Sequence, residues 1–266
     1  MINLIQQIVL VGGTFVGGAT DTKTGYIYDW ITYPMIIIGI ILSLIQMQWF
    51  NIISGVILFL GLLIAYKFGK LGGGDVKIFT GLALLNPFNN IDFLTTIAII
   101  SAITAIMFYS IYYTIKYTRI GIKWKREREG IRRALLLGVV IIVYLFFMNI
   151  MALVSFVFVY LIGIPFMLGL LFVALQKGIK EEFFEKNVKL KELEEDEVLG
   201  EQNNKHILKL LKGKNLLGEK EIILLKKHGI KEVFVLRNLP KFGPFIFIGT
   251  LFAILVPYFF EILLFV

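Results

Sequence analysis

Cysteine is absent from the chain, so no disulfide framework, thiolate metal site or cysteine nucleophile is available to it. The two histidines, His206 and His228, stand far apart without companion ligands at metal spacing, which argues against bound zinc. Acidic residues are scarce where the chain is most apolar: through residue 120 there are only Asp21, Asp29, Asp75 and Asp92. No basic leader precedes the first apolar run, so the first helix is expected to be retained with its amino terminus outside. What fills the chain is hydrophobic, 58% of its 266 residues including 24 Phe, with a mean hydropathy of +0.81. A water-soluble core with a polar shell cannot be built from that composition. A multi-pass membrane protein can.

Bilayer hydrocarbon is about 30 Å thick, so a crossing needs roughly 20 apolar residues as helix, whose backbone groups satisfy one another. Apolar segments run near 2–20, 31–48, 51–67, 75–87, 93–115, 134–176 and 242–264. The sixth is twice the required length and should be two crossings with a turn near Asn149 or Met151. The fourth is short, ending at Asn86-Pro87, and is expected to be tilted, capped by a loop or sheltered inside the bundle. The fold expected is an all-α polytopic membrane protein of six to eight transmembrane helices with a small α+β cytoplasmic insert.

Basic residues in short loops set the orientation. Eight Lys and Arg lie between Lys116 and Arg133, against Glu127 and Glu129, which makes that stretch a basic cytoplasmic loop facing anionic headgroups. Counting back two crossings at a time places Asp75, then Asp21 and Asp29, on the cytoplasmic side; Lys23, Lys67, Lys70 and Lys77 agree. The +8 net charge is explained by these inner segments, with no nucleic acid partner implied. The chain then divides into a membrane core over 1–115, the loop 116–133, additional transmembrane helices in 134–176, a small cytoplasmic domain over 177–241 and a closing transmembrane helix over 242–266. Within the insert, Ile207, Leu210 and Leu211 before Gly213 predict one short helix. Glu219 to Lys227 closed by Gly229 predicts a second, and Val233 to Leu236 a strand ahead of Asn238-Leu239-Pro240. The acidic stretch from Glu181 to Glu197 is a solvated face or a docking surface for a basic peptide.

The chemistry concentrates at Gly72-Gly73-Gly74-Asp75. An ionisable group at membrane depth is a functional hypothesis by default. Glycines at 72–74 remove side chains that would block a peptide backbone approaching the acid. Two carboxyls that approach one another share a proton: one takes a proton from water while its neutral partner polarises a carbonyl, which is aspartic protease chemistry. The bland alternatives are a helix cap for Asp75, an interfacial loop residue for Asp21, an N-cap holding Lys23 for Asp29, and an outer turn for Asp92. Lys77 is an interfacial anchor or a charge tuning Asp75. Paired glycines, Gly12-Gly13 and Gly17-Gly18, predict close helix packing on the first helix.

Gly72-Gly73-Gly74-Asp75 with Val76-Lys77, and Asp21 followed eight residues later by Asp29-Trp30, resemble the GxGD membrane aspartic proteases, within them the archaeal preflagellin and type IV prepilin peptidases. The resemblance covers residues 1 to about 115. It implies that Asp21 and Asp75 form the catalytic dyad, that Gly72 to Gly74 admit the substrate backbone, that Lys77 and Asp29 support the site, and that no cofactor is needed. It further implies an archaellin or pilin-like precursor as substrate, cut at the cytoplasmic face before its apolar helix. Tyr28-Asp29 also resembles the presenilin branch, which would pair Asp29 with Asp75, although the Pro-Ala-Leu tripeptide of that branch is missing. A transporter or channel with carboxylates at broken helix ends is the alternative of a different class.

Overall fold

The computed structural model describes residues 2–69, 71–151, 156–193, 197–211, 214, 216–237 and 239–259. Lys70, Glu194 to Asp196, Gly213 and Asn238 lie outside the described residues, as do the side chain of His206 and the end of the closing helix. Seven helices build the first two thirds of the chain: α1 (Ile2–Thr24), α2 (Asp29–Ile45), α3 (Trp49–Lys67), α4 (Gly73–Leu84), α5 (Ile91–Ile120), α6 (Trp124–Ile150) and α7 (Phe156–Ala174). A short α8 (Gln176–Ile179) leads into a π-helical turn at Lys180–Phe184 and then the insert, after which α11 (Gly243–Leu255) returns to the bundle.

By length and composition α1, α3, α5 and α6 qualify as membrane spans, and a fifth is formed if α7 and the segment after it, bent by 69°, count as one. The expected six to eight crossings are reached only by adding α2 and α11, apolar helices of 17 and 13 residues. α4 is shorter still, at 12 residues, and it does not face lipid. Val76, Ile78, Thr80, Gly81, Leu82, Ala83 and Leu84 are all buried, so the helix is sheltered by its neighbours, which supply the apolar surroundings that its length cannot.

The core joins α1, α2, α4, α5 and α11 through Leu10, Ile31, Met35, Ile78, Leu82, Phe93, Ile97 and Ile246. Glycine makes the approach possible. A Cβ on Gly13 would lie 2.3 Å from Met35 Sδ, and one on Gly39 2.7 Å from Leu84 Cβ, distances no packed side chain tolerates. Of the predicted small-residue stripe on α1, Gly13 meets α2, Gly17 meets α4 and Gly18 meets the start of α11, whereas a Cβ on Gly12 would meet nothing within 4 Å. At the end away from the insert, side-chain amides close the bundle. Gln6 Nε2 donates to Gln48 Oε1 at 3.0 Å, Gln48 Nε2 to Gln46 Oε1 at 3.2 Å, and Gln46 Nε2 to Gln6 Oε1 at 3.3 Å. Asn51 Nδ2 extends this ring to Gln48 Oε1 at 2.9 Å and to the Asn86 carbonyl at 2.8 Å. Asp92, expected in an outer turn, is buried in the first turn of α5.

The basic stretch 116–133 is helix for most of its length, not loop. α5 runs on to Ile120 and α6 starts at Trp124, leaving a link of three residues, Gly121 to Lys123. The charges keep to an exposed face while Glu127 turns inward, fully buried, accepting from Tyr117 Oη at 3.1 Å and from the Gly178 amide at 3.3 Å. Arg126 bridges outward from this cluster to Glu181 at 2.6 Å and to Glu182 at 3.5 Å, tying the entrance of the insert to α6.

In the insert a four-stranded antiparallel sheet has the order β1-β4-β2-β3, from β1 (Glu185–Lys189), β2 (Glu197–Leu199), β3 (Leu216–Leu217) and β4 (Glu232–Leu236). Two helices, α9 (Lys205–Leu210) and α10 (Glu219–Lys227), cover it around Leu211, Leu225, Val233 and Val235. The predicted helices and strand are present, and Gly229 closes α10 at φ +69°. β1 to β3 escape a reading by hydrophobic alternation because β1 is polar, Glu-Lys-Asn-Val-Lys offering one apolar residue to the core, while β2 and β3, at 3 and 2 residues, are too short to show a period. Much of the acidic stretch is spent internally. Glu181 and Glu182 pair with Arg126, Glu197 with Arg237 at 2.5 Å, and buried Glu185 accepts from the Glu201 and Gln202 amides.

Candidate active site

Asp21 occupies the last turn of α1, where Gly25 at φ +80° ends the helix by donating its amide to the Asp21 carbonyl at 2.8 Å. The side chain is buried, 7% exposed, and Oδ2 accepts the Gly243 amide at 2.8 Å. Asp75 occupies the first turn of α4. It stands three residues after the extended N-cap Gly72, and its carboxyl reaches back toward the Gly72 backbone, in the manner of the acid of a capping box. A Cβ at Gly72 would lie 3.3 Å from Asp75 Oδ2, so the glycine leaves that side of the carboxyl open.

The two helices run in opposite directions, and the contact below the acids fixes their register. A Cβ on Gly17 would sit 3.1 Å from Ile78 Cδ1. Four residues on from Gly17 is Asp21 and three back from Ile78 is Asp75, each about one turn toward the insert side. Both carboxyls therefore stand in one layer on facing helices, within electrostatic reach of each other. Gly74 closes the arrangement from the α2 side, where a Cβ would lie 2.8 Å from Ile27 Cβ and 3.0 Å from the Ile27 carbonyl.

Asp29 points elsewhere. It is the first residue of α2 behind the cap position Tyr28, so it is not the N-cap, and it pairs with Lys77 Nζ at 2.5 Å rather than with Lys23. Lys77 also lies over the Tyr33 ring at 4.8 Å. Residues two apart on a helix face roughly opposite directions, so Lys77 holds Asp29 on the side of α4 away from Asp75. Lys77 thus anchors α2 to α4.

Residues 8–111 match the type IV leader peptidase family. The matched stretch runs from α1 through most of α5, with both acids, all three glycines, Asp29 and Lys77 inside it. No curated protein and no solved structure matches the chain. Over that amino-terminal part the chain is similar to the type IV leader peptidases, and its apolar helices are those of a multi-pass membrane protein.

Sequence reading missed what lies outside that stretch. Lys241 Nζ donates to the Thr22 carbonyl at 2.5 Å and Tyr109 Oη donates to the Lys241 carbonyl at 2.7 Å, so the segment entering α11 is pinned beside Asp21. The only local signal was Gly243-Pro244, glycine before a proline at a helix start. Among the described residues no group of three His, Cys, Asp or Glu is placed to hold a metal ion.

Proposed function

We propose that the chain is an aspartic endopeptidase of the GxGD type that removes a short basic leader from archaellin or pilin-like precursors at the cytoplasmic membrane face, with Asp21 and Asp75 as its dyad. The observation that carries the reading is the shared layer of the two acids above the Gly17–Ile78 contact. One carboxylate takes a proton from water as the oxygen adds to the scissile carbonyl, and the protonated partner donates to the carbonyl oxygen. Collapse of that adduct returns the proton to the leaving amine. Gly72 to Gly74 leave room for an extended backbone over Asp75, since a helical amide is hidden by its own hydrogen bonds.

An apolar cavity of about 350 Å³ between α3 and α5 supports a substrate with an apolar helix. Phe79 and Leu82 form its floor, four and seven residues beyond Asp75 on one face of α4. Asp29 is the weaker partner for Asp75 because Lys77 already holds it.

Reconstituted protein incubated with a precursor spanning leader and apolar helix tests the reading, with products identified by mass. Asp21→Asn and Asp75→Asn each abolish cleavage and Asp29→Asn keeps it. Cleavage surviving either of the first two changes rejects the dyad, and ion flux without cleavage replaces the protease by a transporter.

A further inference from the structure

The four amides that open any helix have no partner within it, and a side chain at the N-cap usually supplies one. The N-cap of α11 is Phe242, whose side chain makes no such bond, and Pro244 has no amide to offer. The acceptor comes from 222 residues away, when Asp21 Oδ2 takes the Gly243 amide at 2.8 Å. The fit admits glycine alone. A Cβ at 243 would lie 2.9 Å from Asp21 Cβ, 3.0 Å from Asp21 Oδ2 and 3.1 Å from Gly18 Cα, and a Cβ at 18 would lie 3.1 Å from the Gly243 carbonyl oxygen. Two glycines on two helices thus bring backbone against backbone, one turn before the acid on α1. Lys241 and Tyr109 hold the approach through the Thr22 and Lys241 carbonyls.

We propose that Gly243 is the positioning residue for Asp21, its amide fixing the orientation of the carboxyl, so that the segment Lys241 to Gly243 and the helix it opens belong to the catalytic machinery. This rests on the protease reading above and extends the machinery beyond the stretch that matches the family. A carboxyl buried without this bond would turn among rotamers, and one that is held keeps the oxygen facing Asp75 free for water. The insert enters the same chain of contacts, because β4 ends at Leu236 and runs through Arg237 into Lys241.

The test uses the full chain in bilayers with a precursor substrate. Gly243→Ala adds the crowding Cβ and keeps the amide; Gly243→Pro adds it and removes the amide. The expected result is a kcat for Gly243→Pro on the order of 10- to 100-fold below that of Gly243→Ala, with KM unchanged, the size of a hydrogen bond to a charged group. Equal kcat in the two variants, or an effect confined to KM, overturns the assignment. Lys241→Met combined with Tyr109→Phe loosens the same segment without touching position 243, and it lowers kcat at constant KM if the assignment holds.

A readout that needs no cleavage separates this inference from the reading beneath it. Because the chain has no cysteine, Asp21→Cys carries its only thiol, and a thiolate at a helix start is stabilised by the amides there. Gly243→Pro in that background slows alkylation of the thiol about tenfold relative to Gly243→Ala, which shares the added Cβ, one pKa unit's worth at a pH below its titration. Unchanged alkylation in both, with Asp21→Asn inactive, removes Gly243 from the machinery and leaves the protease standing. Alkylation slowed by Gly243→Pro, with the unsubstituted chain cleaving no precursor, keeps the contact and removes the protease.

Discussion

The two ends of the bundle bury polar groups by opposite means. Away from the insert, Gln6, Gln46, Gln48, Asn51 and Asn86 join α1, α2, α3 and the end of α4 through neutral amides that give and receive from one another. On the insert side, Asp21 and Asp75 stand on α1 and α4 with few donors and open glycine around them. A side-chain amide neither gains nor loses a net proton near neutral pH, so the ring can only fasten. A pair of carboxyls can carry a proton in either of two places, and it costs more to bury. The proposed dyad accounts for that cost beside Gly72 to Gly74, whereas the ring is explained by stability.

The contrast breaks most sharply at the acids. Asp21→Asn or Asp75→Asn turns a carboxyl into another amide, and precursor cleavage falls by about 10³-fold or more while the melting temperature holds or rises. Second in size is Gly74→Ala, which sets a Cβ 2.8 Å from Ile27 Cβ and pushes the first turn of α4 out of register with α1. Activity drops on the order of 10- to 100-fold, as expected for a shift of about 1 Å at a reacting group, in a steady-state cleavage assay.

At the other end the order of effects inverts. Asn51→Leu removes the donor to the buried Asn86 carbonyl and one of the two donors to Gln48 Oε1, which keeps its bond from Gln6. Thermal unfolding in detergent shows a loss of about 1–3 kcal/mol, with cleavage below the transition unchanged. The smallest effect belongs to the half-exposed pair Asp29–Lys77, where Asp29→Asn changes stability by less than about 1 kcal/mol and cleavage by less than about threefold. A large activity loss there would return Asp29 to contention as the partner of Asp75.

Much of this was legible along the chain because each signal was local. Apolar runs marked α1 to α6, the doubled run 134–176 divided where α6 ends at Ile150, and glycine after Lys227 marked the end of α10. Asp21 and Asp75 stood out because acids are rare among apolar residues. What stayed hidden depends on tertiary contact. Nothing near Gly243 announces Asp21, since a backbone amide has no sequence signature and its acceptor is in the first helix. The helical path of residues 116–133 was obscured by charge, which marks a side of the membrane without saying whether the backbone is coiled. The partner of Asp29 was misread because Lys23 is near in sequence, while Lys77 is near in space.

The insert sits at both supports of the acid pair. Its last strand continues into the segment beside Asp21, and Val198 and Leu216 lie 3.5 and 3.6 Å from where a Cβ on Gly69 would be, in the turn that leads to Gly72. Under the protease reading this folded appendage is therefore a handle on the acid pair. An antibody fragment gripping the sheet would act as a noncompetitive inhibitor, lowering turnover without occupying the cavity between α3 and α5.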